Sequence, residues 1–278
     1  MIKLFIVLSL LLESQYVWCV VDVVCEQYRN SYGAADPNFC VIDRFAQSTS
    51  NESNAYNFRS DLDKQLVKSI AFFDETTSLN VGTFPGGIFS TFPNVGHLTM
   101  QRVNVSELNS DSFVNAMNLW SLDLRLNKIK AIRSGVFSIA AVRAQSAQQH
   151  TDIEKVTFDD VYPLHVLWKL ILNGNEIEEI DNYAFYGLRA LFRIYMDDNR
   201  LTIIRRHTFT GLNRLIELSL ENNQISTIEE HAFDFPNIRT IFLQNNPLKT
   251  LSNNIVRRGS PAIALDENQM KELNRTIN

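Results

Sequence analysis

Apolar residues recur along most of this chain in one short phrase that returns about every 24 residues. In its clearest copy, Leu167, Leu170, Leu172 and Ile177 surround Asn175 with the spacing L-x-x-L-x-L-x-x-N-x-L. The alternation of apolar and variable positions inside the phrase has the period of a β-strand. The pattern therefore predicts one short strand in each unit, with a turn at the asparagine.

The asparagine recurs with the apolar phrase, at gaps of 48, 24, 24, 23 and 22 residues. Where the chain leaves a strand and turns, backbone N–H and C=O groups inside the fold need partners. A carboxamide donates and accepts hydrogen bonds at once, whereas an ionised aspartate cannot donate. We therefore expect a ladder of stacked side chains that bridges neighbouring turns, formed by Asn127, Asn175, Asn199, Asn223, Asn246 and Asn268.

A second apolar set follows each asparagine. Ile180, Phe185 and Leu188 lie 5, 10 and 13 residues after Asn175; all three offsets return after Asn199, and the first two return after Asn127 and Asn223. Strand leucines and return-segment phenylalanines are thus both expected to point inward. Each unit then adds one apolar layer to a shared core, which makes residues 67–273 a single elongated domain of about eight or nine units.

One unit departs from the pattern. The 24-residue step predicts a strand near Arg143, but the core positions hold Arg143, Ser146, Gln148 and Thr151. Burying polar groups without partners costs about 1–3 kcal/mol each. We therefore expect a weak or absent strand in the degenerate unit at 140–164.

The phrase resembles the leucine-rich repeat family, and the return motif of Ala184, Phe185 and Leu188 is similar to that of extracellular members. These include Toll-like receptor ectodomains, small proteoglycans and insect secreted leucine-rich immune proteins. The resemblance implies an α/β solenoid, a curved horseshoe with a parallel sheet on its concave face and a mostly irregular or short-helical convex side. It also implies protein binding in haemolymph or matrix.

The variable positions between the strand leucines face away from the core and define the candidate binding surface. Exposed aromatic residues framed by polar ones are typical of protein interfaces. An acidic patch at Asp197, Asp198 and Glu221 lies beside the aromatic positions. The predicted partner-binding residues on the concave face are Lys169, Ile171, Arg193, Tyr195, Asp197, Glu217, Glu221 and Phe242. Cross-strand packing and solubility are the alternative explanation for each of them.

The chain begins with Lys3 and an apolar run from Leu4 to Leu12, which has the form of a secretory signal and is too short to span a bilayer. We predict cleavage after Cys19, so that residues 1–19 are a signal peptide; a buried N-terminal strand is the alternative. No later apolar stretch is long enough to cross a membrane. The protein is therefore expected to be secreted.

Cleavage leaves two cysteines, Cys25 and Cys40, in an oxidising compartment. We expect them to form a disulfide in an N-terminal cap over residues 20–66, with two free thiols as the alternative. Three glycosylation sequons fit the same compartment, at Asn51, Asn104 and Asn274. No cysteine follows Cys40, so the last coil has no cysteine-bearing cap before the tail at 274–278. Its apolar edge is expected to fray from about Asn253 or to be covered by a partner in a homo- or hetero-oligomer; a truncated gene is a further alternative.

Motifs for catalysis are missing from the sequence, which has no nucleophile elbow, no phosphate-binding glycine loop and no zinc-protease histidine pair. The five histidines lack metal-ligand spacing, and His207 and His231 are expected to be solvated on the convex side. The net charge of −5 with no clustered basic run argues against nucleic acid. We expect no enzyme activity, no metal and no cofactor.

The sequence therefore supports a secreted module that recognises a protein ligand through its concave face, in innate immunity or extracellular signalling. A structural component of the extracellular matrix or of cell adhesion is the alternative, with weak and multivalent contacts. An enzyme or an enzyme inhibitor is a third hypothesis, and no paired acids in a turn favour it.

Overall fold

The computed structural model describes residues 67–72, 81–84, 87–138, 164–252, 254–256 and 261–270, together with the backbone of three earlier strands. In chain order the elements are β1 (Ile2–Leu12), β2 (Gln15–Arg29), β3 (Ala35–Ser48), β4 (Ser69–Phe72), β5 (Gly82–Thr83), α1 (Ile88–Thr91), β6 (His97–Met100), β7 (Val105–Glu107), β8 (Ser121–Asp123), β9 (Ala131–Ile132), β10 (Lys169–Ile171), β11 (Glu179–Ile180), β12 (Arg193–Tyr195), β13 (Ile203–Ile204), β14 (Glu217–Ser219), β15 (Thr227–Ile228), β16 (Thr240–Phe242) and β17 (Ala262–Ala264).

One sheet of 11 strands runs through the molecule in the order β1-β2-β3-β4-β6-β8-β10-β12-β14-β16-β17. The first three strands are antiparallel, and from β3 onward every pair is parallel. The remaining two- and three-residue strands follow the strands of this sheet along the chain and form three separate two-stranded sheets, β5 with β7, β9 with β11 and β13 with β15. The predicted parallel-strand solenoid is confirmed, with a return side built from turns and the four-residue α1.

The N-terminal predictions fall where only the backbone is described. The apolar run lies in β1, which pairs with β2. Cys25 lies in β2 and Cys40 in β3, and the register pairs them with Ile42 and Gln27. The signal peptide, the disulfide and the domain bounds stay predictions. Asn51, Asn274 and the tail lie outside the described residues.

Phenylalanines from successive return segments form the centre of the core. Phe113, Phe137, Phe185, Phe209 and Phe233 are each at most 1% exposed. Neighbouring ring centroids lie 5.5, 5.7, 5.4 and 6.4 Å apart along this series. Such offset ring pairs add about 0.5–1.5 kcal/mol each to the stabilisation from burial. The residues ten positions after each asparagine therefore bind the turns to one another.

The asparagine side chains bridge neighbouring turns. The Asn199 Oδ1 atom accepts a hydrogen bond from the Ile177 amide of the preceding turn, at 3.0 Å. Its Nδ2 atom donates to the Leu172 carbonyl of that turn and to the Met196 carbonyl of its own, both at 3.0 Å. The same three bonds recur at Asn127, Asn175, Asn223 and Asn246.

The ladder does not include Asn268, contrary to the sequence prediction. Asn268 is exposed, and Gln269 is buried in its place, with Nε2 donating to the Leu243 carbonyl at 2.7 Å and to the Asn246 carbonyl at 3.0 Å. The reason is local: the Asp266 carboxylate accepts the amides of residues 268 and 269 and begins a helical turn. This turn presents position 269 to the ladder, and the longer glutamine side chain takes the bridging role.

The sheet passes directly across the degenerate unit. β8 pairs with β10, β9 pairs with β11, and the rings of Phe137 and Phe185 stack. The Asn175 amide also reaches the Leu124 carbonyl, at 3.0 Å. Residues 139–163 lie outside the described residues, and β8 and β10 on either side of them pair directly with each other. The unit before this segment and the unit after it are therefore immediate neighbours.

Replacing Asn199 by alanine should lower the free energy of unfolding by about 2–3 kcal/mol, because the buried Ile177 amide loses its acceptor. The two carbonyls keep a bond from Asn175 and from Asn223, which limits the loss. Asn268→Ala is the matched control and should change stability by less than about 0.5 kcal/mol, as is usual for exposed positions. Urea unfolding followed by circular dichroism measures both, and equal losses would contradict the ladder described here.

Residues 139–163 should be dispensable for folding. Replacing them with a single glycine gives Phe137-Ser138-Gly-Leu164, which matches the regular Phe185-Tyr186-Gly187-Leu188. We expect cooperative unfolding within a few degrees of the parent chain. A deletion of residues 193–204 removes β12, β13 and Asn199, breaks the phase of the repeat and should abolish that transition. Loss of folding in the first variant would show that the segment contributes to the core.

Candidate functional site

Four of the predicted binding residues form one network on the concave face. Lys169, Arg193 and Glu217 lie side by side at the starts of β10, β12 and β14. The Arg193 Nε atom lies 3.3 Å from Glu217 Oε2, and the Lys169 ammonium lies 5.5 Å from the Tyr195 ring centroid. Tyr195 also hydrogen-bonds Glu217 through its hydroxyl. The register of three adjacent strands thus holds these side chains in fixed positions.

The pKa of the Tyr195 hydroxyl is raised above its ordinary value. Burial raises the pKa of Tyr195 to about 12, and its hydrogen bond to the Glu217 carboxylate adds to the increase. Both effects favour the neutral phenol, because ionisation would place a second negative charge beside Glu217. The hydroxyl therefore remains a hydrogen-bond donor across the physiological pH range.

The predicted acidic patch is centred on Asp197. Its carboxylate accepts bonds from Asn173 Nδ2 at 2.8 Å, from the Glu221 amide at 3.0 Å and from the Ser219 hydroxyl. The pKa of Glu221 is raised, first by burial and then by the charges of Asp197 and Asp198. The end of the strands thus carries negative charge that favours a cationic group of a partner.

Ile171 does not belong to an open apolar patch, contrary to the sequence prediction. It is only 8% exposed, because it lies in an interior strand between its register partners Asp123 and Tyr195. The alternation of a strand predicts which face a side chain is on, but its neighbours on that face decide how far it is covered. In the row of register partners that contains Ile171, the accessible apolar bulk comes from Tyr195 and Phe242, which flank the buried Ser219.

The edge where the strands begin carries aromatic residues that sequence reasoning missed. Trp120 is 50% exposed and Trp168 is 38% exposed, and Phe192 is half-buried beside them. Trp168 and Phe192 stack at 5.6 Å, and the Arg193 guanidinium lies 5.0 Å from the Trp168 ring. Their sequence signal is the position directly after the first leucine of each phrase, which lies outside the variable positions that strand alternation assigns to the concave face.

The return side has a cleft of about 450 Å³ between two successive turns. His207, His231, Asp234 and Phe235 contribute to its lining, and the His231 Nδ1 atom lies 3.4 Å from Asp234. His207 stacks on Tyr183 at 5.2 Å. Both histidines are half-buried, so they are less solvated than the sequence predicted, because the turns before and after them pack against their rings.

The described residues contain no cluster of histidine, cysteine and acidic side chains that could hold a metal ion. Within the same part of the chain, no helix is both long enough and apolar enough to cross a bilayer. Asn104 lies just before β7 in a left-handed backbone conformation with φ of 56°, and it is half-buried. Its glycosylation stays a prediction.

Two family models match the chain. The "Leucine rich repeat" model matches residues 165–224 and 194–248, and the "BspA type Leucine rich repeat region (6 copies)" model matches residues 64–167. Together they cover most of the solenoid. The chain therefore belongs to the leucine-rich repeat proteins. No curated protein sequence matches it.

Solved structures with the same fold include three from different settings. A chain of the Toll–Spatzle complex from Drosophila is 20% identical, with a TM-score of 0.52 over 72% of this chain and 24% of its own length. A chain of the TLR13–ssRNA13 complex is 22% identical, with a TM-score of 0.54 over 74% and 27%. InlP of Listeria monocytogenes is 17% identical, with a TM-score of 0.51 over 72% and 47%. The chain thus spans about a quarter of the two receptor chains and about half of InlP.

The titration of Tyr195 should be visible in the pH dependence of stability. Its folded pKa of about 12 lies above the ordinary value of 10.0, so its contribution is complete below pH 10 and is lost as pH rises towards 12. Tyr195→Phe should remove the highest step in absorbance at 295 nm and flatten the fall in stability over that interval. Tyr186→Phe, which removes an exposed tyrosine, should leave that step in place; an unchanged titration in Tyr195→Phe would contradict the assignment.

Proposed function

We propose that this protein is an extracellular recognition module that binds a protein ligand through its concave face. The observation that carries the proposal is the pair Tyr195 and Phe242, separated in the register by the small buried side chain of Ser219. Aromatic residues beside a depression are typical anchors of protein interfaces. A polar network frames them on one side and the Asp197 patch on the other.

Pre-organisation supports recognition rather than simple solubility. Lys169, Arg193, Tyr195 and Glu217 already contact one another, so little side-chain freedom is lost when a ligand binds. Their ion pairs are half-exposed, where such pairs contribute about 0–1 kcal/mol to stability. Fixed geometry at positions that add little to folding is consistent with a binding role.

Two solved structures with the same fold are complexes, and their partners bear on this proposal. The Toll structure is a complex with Spatzle, described as a molecular hub in development and innate immunity, and the TLR13 structure is a complex with single-stranded RNA. The complex with Spatzle supports a protein ligand for this chain, whereas the TLR13 complex contains RNA. The N-terminal apolar run and the sequons support an extracellular location, and innate immunity or extracellular signalling is the proposed setting.

Immobilising the protein and identifying what it captures from extracellular fluid by mass spectrometry tests the proposal. We expect one protein ligand of high affinity, whereas many weak partners would favour the matrix or adhesion role. The Tyr195→Ala and Phe242→Ala double variant should weaken binding of the captured ligand by about 2 kcal/mol or more. Thr202→Ala, at an exposed position away from the sheet, is the control. Unchanged affinity in the double variant would exclude the concave face as the binding site.

A further inference from the structure

The residues at the start of the strands form one continuous row along the edge of the sheet. Each backbone amide in the row donates to the carbonyl of the preceding member: Trp120 to Gly96, Trp168 to Trp120, Phe192 to Trp168, Ile216 to Phe192 and Arg239 to Ile216, at 2.8–3.0 Å. We call this set the rim row. Neighbouring strands are about 4.8 Å apart, so the four steps from Trp120 to Arg239 cover about 19 Å.

Contacts with neighbouring residues fix the positions of the aromatic side chains in the rim row. The Trp120 indole lies over Gly96, where an added Cβ would come within 2.5 Å of Nε1, and its ring lies 5.7 Å from His97. Trp168 instead stacks on Phe192. The two indoles therefore contact opposite neighbours, Trp120 towards Gly96 and Trp168 towards Phe192.

The surroundings of the rim row are mainly basic, although the chain carries a net charge of −5: Arg239 is a member of the row, and Arg214 lies two residues before the member Ile216. Arg214 and Arg239 are exposed, and Glu217 is already paired with Arg193. The charged residues in the segments 117–121, 165–169, 189–193, 213–217 and 236–240 are Lys169, Arg189, Arg193, Arg214, Arg239 and Glu217. The edge is thus complementary to a negatively charged partner, and arginine in particular pairs with carboxylates.

The covered faces of Trp168 and Phe192 argue for a peptide rather than for nucleic acid or a glycan. Stacking of bases requires an open aromatic face. Trp168 and Phe192 press their faces against each other, and Arg193 lies over both rings. The row then continues through the aliphatic Ile216. Aromatic edges, an aliphatic side chain and arginines together are typical of protein interfaces.

We propose that the rim row binds an extended acidic segment of a protein partner, with an aromatic or large apolar side chain against the exposed indoles of Trp120 and Trp168 and carboxylates beside Arg214 and Arg239. An extended chain rises about 3.3 Å per residue, so about six residues span the row. The inference rests on the proposed function, since it specifies the chemistry of the protein ligand and adds the edge of the sheet to its binding site.

A synthetic peptide tests the assignment directly. The probe is a fluorescent octapeptide with tryptophan near one end and four glutamates near the other, titrated with the full chain and followed by anisotropy. Trp168→Ala and Arg214→Glu should each weaken its binding by about tenfold or more. Leu126→Ala and Lys130→Glu are the matched controls, an exposed apolar residue and an exposed cation outside the rim row, and should leave affinity unchanged. Circular dichroism checks that each variant folds.

Several outcomes would overturn the inference. These are no binding of the octapeptide up to millimolar concentration, equal binding when its glutamates are replaced by lysine, or equal affinity in all four variants. Tighter binding of a heparin oligosaccharide or of oligouridylate, lost in the same two variants, would assign the row to a glycan or to RNA instead. If a captured protein ligand depends on Tyr195 and Phe242 but not on Trp168 and Arg214, the rim assignment fails while the proposed function stands.

Discussion

The buried carboxamide ladder is the interaction on which the rest of the structure depends. In the middle of the solenoid each inner carbonyl accepts from two asparagines, its own and that of the following turn: Leu172 from Asn175 and Asn199, and Met196 from Asn199 and Asn223. The bonds therefore form an unbroken series rather than separate pairs. A turn added out of register would leave buried amides and carbonyls without partners, at a cost that apolar burial does not offset.

This constraint also builds the recognition surface. Because the ladder fixes the register, residues at equivalent positions of successive units become lateral neighbours. Lys169, Arg193 and Glu217 meet in one column for this reason, and Trp120, Trp168 and Phe192 meet along the edge. The core is identical from turn to turn, so the surface is free to vary. A row of side chains distant in sequence becomes a continuous strip about 19 Å long.

The repeat predicted the core closely, since every layer has the same requirements. The phenylalanines ten residues after each asparagine stack as the pattern implied. Positions that depend on a local exception were not predictable in the same way. Gln269 takes the ladder position predicted for Asn268 because a helical turn begins at Asp266. Ile171 is buried because Asp123 and Tyr195 lie beside it in the adjacent strands. The rim aromatics were missed because alternation selects faces of a strand and ignores its ends.

The sequence by itself determined the repeat, the inward-facing residues and the role of the asparagines, because these follow from the period of the chain and from the hydrogen-bonding capacity of one side chain. Only the tertiary structure decided that β8 and β10 are direct neighbours. It also decided that Trp120 packs against Gly96 while Trp168 stacks on Phe192. Both depend on lateral packing between segments far apart in sequence, and no local pattern of residues encodes such contacts.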